Sequence, residues 1–313
     1  MKAIVCKKYG GAAVLQVEEL APPVPKPDQV LVRVKAASVN PVDWKIRSGS
    51  LIIKTGLQPP RILGSDFAGE ITAVGSQVND YRVGDAVWGK FDSFKGGSYA
   101  QEVVARAENI GPKPSNLDFQ QAASMPNVAL TALQAMIHKG HLQAGQAVLV
   151  NGASGGVGLM AVQIAKALDC HVTAVCSQKN QALVHSMGAD GVLDYQIEDI
   201  LAQHNAYDVF FDCVANQAYF KVRKTLKNGG VHVKTTPDLM SLLGQVLRPL
   251  ISKVPDHIMV KPRHADLEQL RTWVEAGQLK PVIAEVFPMA AVAAAHDLSQ
   301  AGRVVGKLVL DLA

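Results

Sequence analysis

The chain has 313 residues, which at about 150 per domain suggests two domains or one large one. With 48% hydrophobic and 19% charged residues it is not a disordered chain, and 5% aromatics with 26 glycines suits closely packed α/β structure. The 31 Lys and Arg exceed the 27 Asp and Glu by only +4 and form no runs, so a nucleic-acid surface is not expected.

Strand-like sequence begins at Lys2, so no signal peptide is read. Residues 2–6, 14–20, 30–36, 67–74, 86–89 and 99–105 predict strands. In the third of these, Val30, Val32 and Val34 alternate with Leu31, Arg33 and Lys35, the period of a pleated strand. Glycines 64, 69, 75, 84, 89, 96 and 97 punctuate this first third, which predicts a small barrel or sandwich. Pro22, Pro23, Pro25 and Pro27 form a rigid connector.

From Asp118 the pattern changes. Asp118 predicts the cap of a helix, and a second helix is expected from Pro126 to His138. Strands at 147–151, 171–176, 192–194, 209–212, 231–234 and 257–260 then alternate with helices at 156–168, 180–187 and 217–226, which predicts a parallel, doubly wound sheet. Helices at 267–276 and 289–300 and strands at 282–287 and 304–310 complete the chain. The stretch 239–254 reads equally as the roof of an apolar pocket or as surface packing. The most apolar long stretch, 147–168, is interrupted by Asn151, Ser154, Gln163, Lys166 and glycines, so no membrane span is expected. Cys6, Cys170, Cys176 and Cys213 include no CxxC pair, which predicts reduced thiols in the cytoplasm.

The strongest local signal is Val148-Leu149-Val150-Asn151-Gly152-Ala153-Ser154-Gly155-Gly156-Val157-Gly158. An apolar strand runs into a glycine loop that opens a helix, the context a dinucleotide fingerprint requires. Glycines admit a pyrophosphate to the backbone, and helix N–H groups attract it. Ser154, Gly155, Gly156 and Val157 are therefore candidate cofactor residues. Sites for NAD place an acidic residue at the end of the next strand. Here that strand ends in Ser177-Gln178-Lys179-Asn180, with no Asp or Glu. Lys179 would attract a 2′-phosphate, so NADPH is expected over NADH. Ser177 can serve the phosphate, cap the following helix, or both.

With these residues in view, the chain resembles the zinc-free quinone oxidoreductase (zeta-crystallin-like) branch of the medium-chain dehydrogenase/reductase superfamily. The resemblance covers nearly the whole chain. It rests on Ala37-Ser38-Val39-Asn40-Pro41-Val42-Asp43, Gly64-Ser65-Asp66-Phe67-Ala68-Gly69, Val83-Gly84-Asp85-Ala86-Val87, Gly97-Ser98-Tyr99-Ala100, Ala129-Leu130-Thr131-Ala132, the 151–158 loop, Leu193-Asp194-Tyr195 and residues 302–310. It implies a discontinuous GroES-like substrate domain (1–123 and 266–313), a Rossmann NADPH domain (124–265), a cleft between them, and a homodimer. It further implies Ser177, Lys179 and Tyr195 around the 2′-phosphate, Thr131 and Val214 beside the nicotinamide, and Asn40 and Asp43 at the active-site floor.

Zinc dehydrogenases ligate their metal with Cys and His. By the same resemblance, Asn40 stands where those relatives have Cys and Ser65 where they have His, and residues 88–99 contain no Cys. His138 and His141 are the one close His pair. They flank Gly140 near an expected helix end, which suits a cation. Without a metal, quinones and α,β-unsaturated carbonyls are the expected electrophilic acceptors, because hydride at carbon leaves charge on a conjugated oxygen. Asn40 can donate to that oxygen; Asp43 is expected to order the loop or the cofactor rather than act as an acid, and both fit an Asx-type turn around Pro41. None of Tyr9, Tyr81, Tyr99, Tyr195, Tyr207 or Tyr219 has Lys four residues on, which excludes the short-chain dehydrogenase pattern. Enoyl-thioester reductases carry a Tyr near the Asn-Pro segment, where this chain has Trp44. An NADPH-binding sensor or interaction protein with little turnover stays open as a different class.

Overall fold

The computed structural model describes residues 1–51 and 58–313. Two compact units emerge. The first comprises Met1–Asn127, Lys261–Ala276 and Pro281–Ala313; the second comprises Val128–Val260 and Gly277–Lys280.

The first unit is β-rich. Its early strands are β1 (Lys2–Cys6), β2 (Leu15–Glu19), β3 (Gln29–Val39), β4 (Arg61–Ile62), β5 (Asp66–Val74), β6 (Ala86–Lys90), β7 (Glu102–Arg106) and β8 (Ile110–Pro112). On β3, Val30, Val32 and Val34 are buried and Arg33 is exposed, as the alternation requires. They pack with Phe67, Ile71, Val87 and Tyr99 in one core. The structure adds a short helix, Pro41–Arg47, where the sequence suggests a turn. Pro41 at its first position has the φ that a helix start needs.

The second unit carries β9 (Ala147–Asn151), β10 (His171–Cys176), β11 (Gly191–Asp194), β12 (Tyr207–Asp212), β13 (Leu226–Lys234) and β14 (Val254–His257). All pairs are parallel, in the order β11-β10-β9-β12-β13-β14. Chain order reverses direction on either side of β9, the switch point beside which open α/β sheets bind ligands. Val148, Leu149 and Val150 are all buried, as expected for a strand covered on both faces.

Several other stretches differ from the sequence expectation. The helix expected at 217–226 shortens to Tyr219–Val222, because Leu226 pairs with Tyr207 and begins β13. The strand expected at 257–260 lies at Val254–His257, where Pro255 is tolerated because β14 is an edge strand. The helix from Pro126 ends at Leu133 and continues as a π-turn, Gln134–Lys139. The undecided 239–254 stretch contains a helix, Leu239–Leu247, capped by Asp238 and exposing Leu239, Leu242 and Val246 to solvent.

Back in the first unit, β15 (Ile283–Pro288) pairs with β16 (Lys307–Asp311), and β16 pairs antiparallel with β3, placing Leu308 opposite Val39. The resulting seven-stranded sheet runs β15-β16-β3-β5-β6-β8, with β7 also on β3.

Candidate active site

The glycine loop follows β9. Gly152 sits at φ +81°, a left-handed conformation open to glycine. A Cβ on Gly158 would lie 2.2 Å from the Gly152 carbonyl oxygen, so no side chain fits there. The loop opens the twelve-residue helix Gly156–Ala167 through Gly155 at its N-cap. First-turn N–H groups have no intrahelical partner, and the helix dipole adds positive potential. Ser154, Gly155, Gly156 and Val157 are all half-buried at this opening. A bare cradle at a helix N-terminus fits a pyrophosphate.

Asn180 Nδ2 donates to Ser154 Oγ at 3.1 Å and to Ser177 Oγ at 3.3 Å, joining the glycine loop to the end of β10. Ser177 makes no side-chain cap to the turn that follows it, so the capping role is not realised. Lys179 stands exposed on that turn and Tyr195 is 58% exposed after β11. Asp194 ties their two segments together. Its carboxylate accepts from the Gln178 N–H at 3.0 Å and the Gln196 N–H at 2.9 Å.

Val214 belongs to the same end of the sheet. Its Cγ2 would lie 2.6 Å from a Cβ built on Gly152. Asp212 fixes its loop, accepting from Asn151 Nδ2 at 2.8 Å, the Ala215 N–H at 2.9 Å and the Gln217 N–H at 2.8 Å. Burial would raise the Asp212 pKa, but the neighbouring His232 ring, 3.9 Å away, and the bonds from Gln217 and Asn151 outweigh it and lower the value. Thr131 lies buried on the helix Pro126–Leu133.

Asn40 and Asp43 lie in the first unit, at 0% and 1% exposure. Asp43 Oδ2 accepts from the Asn40 N–H at 2.8 Å and from the Tyr99 hydroxyl at 3.0 Å. It thus closes the first turn of the helix Pro41–Arg47. Asn40 Nδ2 donates to Asp66 Oδ2 at 2.8 Å, which brings Asn40 together with the Ser65-Asp66 segment in space. Among the described residues, no group of three His, Cys, Asp or Glu is placed to hold a metal ion. His141 instead meets Arg248, Nε2 to Nη1 at 2.7 Å.

Sequence reasoning gave no role to Asp194, Asp212 or Lys307, and took Asn180 only as a short polar group beside Lys179. Asp194 stood inside the Leu193-Asp194-Tyr195 motif, the one available signal. The others act through contacts that no local pattern marks.

A family profile described as "Alcohol dehydrogenase GroES-like domain" matches residues 26–115, and one described as "Zinc-binding dehydrogenase" matches residues 187–310. The chain is 35% identical to the bovine (Bos taurus) "NAD(P)H oxidoreductase RTN4IP1, mitochondrial", covering 100% of this chain and 89% of that one. It is 34% identical to the "NADPH-dependent alkenal/one oxidoreductase, chloroplastic" of Arabidopsis thaliana, covering 99% and 79%. The solved structure of the quinone oxidoreductase from Coxiella burnetii superposes with a TM-score of 0.90 at 32% identity, over 99% of both chains. The chain belongs to the zinc-free quinone oxidoreductase branch of the medium-chain dehydrogenase/reductase superfamily. Its parallel sheet is the Rossmann half of that architecture and its β-rich unit the GroES-like half. At the level of the family it is an oxidoreductase that uses a nicotinamide cofactor. No helix among the described residues is long and apolar enough to cross a membrane.

Proposed function

We propose that the chain is an NADPH-dependent, zinc-independent reductase of quinones or α,β-unsaturated carbonyls. The observation that carries the cofactor choice is the end of β10, where Ser177 and exposed Lys179 stand in place of an acidic residue. Ser154, Gly155, Gly156 and Val157 would hold the pyrophosphate at the helix opening. Ser177, Lys179 and Tyr195 would surround the 2′-phosphate, and Thr131 and Val214 would flank the nicotinamide. When bound, the reduced nicotinamide supplies hydride.

On the acceptor side, Asn40 would donate from Nδ2 to the carbonyl oxygen on which charge accumulates; because it is fully buried, the acceptor must displace neighbouring side chains to reach it. Such a donor is effective because its orientation is set before reaction. Asp43 holds the Asn40 backbone through its own carboxylate and so orders the floor of the site. The final proton comes from solvent. The names of the alkenal/one and quinone oxidoreductase relatives support this acceptor class. The four free thiols suit a reducing compartment such as the cytoplasm, and the family resemblance implies a homodimer.

The experiment is to mix the protein with NADPH and a panel of quinones and enones and follow loss of the reduced-nicotinamide absorbance. Turnover with at least one acceptor is expected. Tight NADPH binding with no turnover across the panel would favour a sensor instead.

A further inference from the structure

Asn40 is held more firmly than a helix cap requires. Its Oδ1 accepts from Lys307 Nζ at 2.6 Å and from Asn127 Nδ2 at 3.0 Å. Its Nδ2 donates to Asp66 Oδ2 at 2.8 Å, an oxygen that also takes the Ser38 hydroxyl at 2.6 Å. Lys307 Nζ donates in addition to the Val39 carbonyl at 3.0 Å and lies 4.0 Å from Asp66 Oδ2. Ser38, Asn40 and Asp66 are 0% exposed and Lys307 is 6% exposed.

This surrounding admits one orientation of the amide. Turned over, the NH2 group would face the ammonium and the oxygen would face the carboxylate. An amide nitrogen carries two hydrogens, and Asp66 engages one of them. A buried ammonium is costly to desolvate, and a methionine would fill comparable volume without that cost. Here the ammonium balances the buried Asp66 carboxylate and at the same time fixes the Asn40 amide.

Resting on the role given to Asn40 above, we propose that Lys307 is a positioning residue of the reaction: it fixes and polarises the Asn40 amide, so that the second Nδ2 hydrogen is a preorganised donor to the acceptor's carbonyl oxygen. Hydrogen bonds in series strengthen one another, and a donor fixed where charge develops acts on turnover more than on ground-state binding.

The test is a double-mutant cycle in the full chain with Lys307→Met, Asn40→Ala and both together. It reads kcat, acceptor KM, NADPH dissociation constant and Tm. Asn40→Ala should lower kcat about a hundredfold, as loss of an oxyanion donor does. Lys307→Met should lower kcat about tenfold with KM and NADPH binding little changed. In the Asn40→Ala background the Lys307 substitution should change kcat less than about twofold, while its effect on Tm persists. If Lys307→Met does not fold, Lys307→Gln, a neutral donor, carries the same cycle. Wild-type kcat in the Lys307 variant beside an impaired Asn40→Ala overturns this inference alone. An equal kcat loss in both backgrounds also overturns it. Wild-type kcat in Asn40→Ala removes the role of Asn40 and this inference with it.

Discussion

Tyr99 donates its hydroxyl to Oδ2 of Asp43 at 3.0 Å, with neither residue more than 1% exposed. Burial pushes the Asp43 carboxyl from its ordinary 3.8 up to about 6, although the bonds from Asn40 and Tyr99 pull the other way. The folded state thus holds this proton more tightly than the unfolded chain. The associated stability is complete below 3.8 and is lost as pH rises through about 6. Across that window the wild type should lose on the order of 3 kcal/mol relative to Asp43→Asn. Urea unfolding of both proteins at a series of pH values checks this; parallel stability curves would contradict it.

His296 packs edge-on against Tyr99, ring centroids 5.8 Å apart, and has the opposite dependence. Burial depresses its pKa from 6.5 to about 3, so it stays neutral in the fold. Its contribution is present above 6.5 and is lost as pH falls through about 3. His296→Phe should therefore move the acid-unfolding midpoint to lower pH, read by circular dichroism. An unchanged or higher midpoint would count against this burial.

Lys179 is exposed, so its removal should leave the fold intact and act on the cofactor alone. Lys179→Ala should weaken NADPH about tenfold, the loss of one charge-assisted contact, and NADH hardly at all. Fluorescence titration with both nucleotides measures the ratio. Equal losses would refute a 2′-phosphate contact.

Asp194 ties together the two segments proposed to hold that phosphate. Its two bonds to backbone N–H groups span the segments that carry Lys179 and Tyr195. Asp194→Ala should cost several-fold in NADPH affinity, and Asp194→Asn less, because the amide oxygen still accepts one bond. Equal affinities for wild type and Asp194→Ala would show that the two segments hold themselves.

The parallel sheet was legible because its signals are local. The runs at Ala147–Asn151 and His171–Cys176 are continuous, apolar and bounded by turn residues, and the structure returns both with the same limits. Pro41–Arg47 was hidden because Asn40-Pro41 carries the chemistry of a turn as well as of a helix start. Arg61–Ile62 and Ile110–Pro112 are too short for a period to register, and Pro255 disguised β14. The glycine loop declares itself within a dozen residues. The Lys307–Asn40 bond spans 267 positions and depends on β16 pairing with β3, so no window of sequence contains it.

The most direct measurement uses NADPH deuterated at the transferable position of the nicotinamide, with an enone as acceptor. Mass spectrometry and NMR of the saturated product then locate the label. Direct hydride transfer predicts one deuterium at the carbon β to the carbonyl and solvent hydrogen at the α carbon. Reduced product with no deuterium on carbon would contradict hydride transfer.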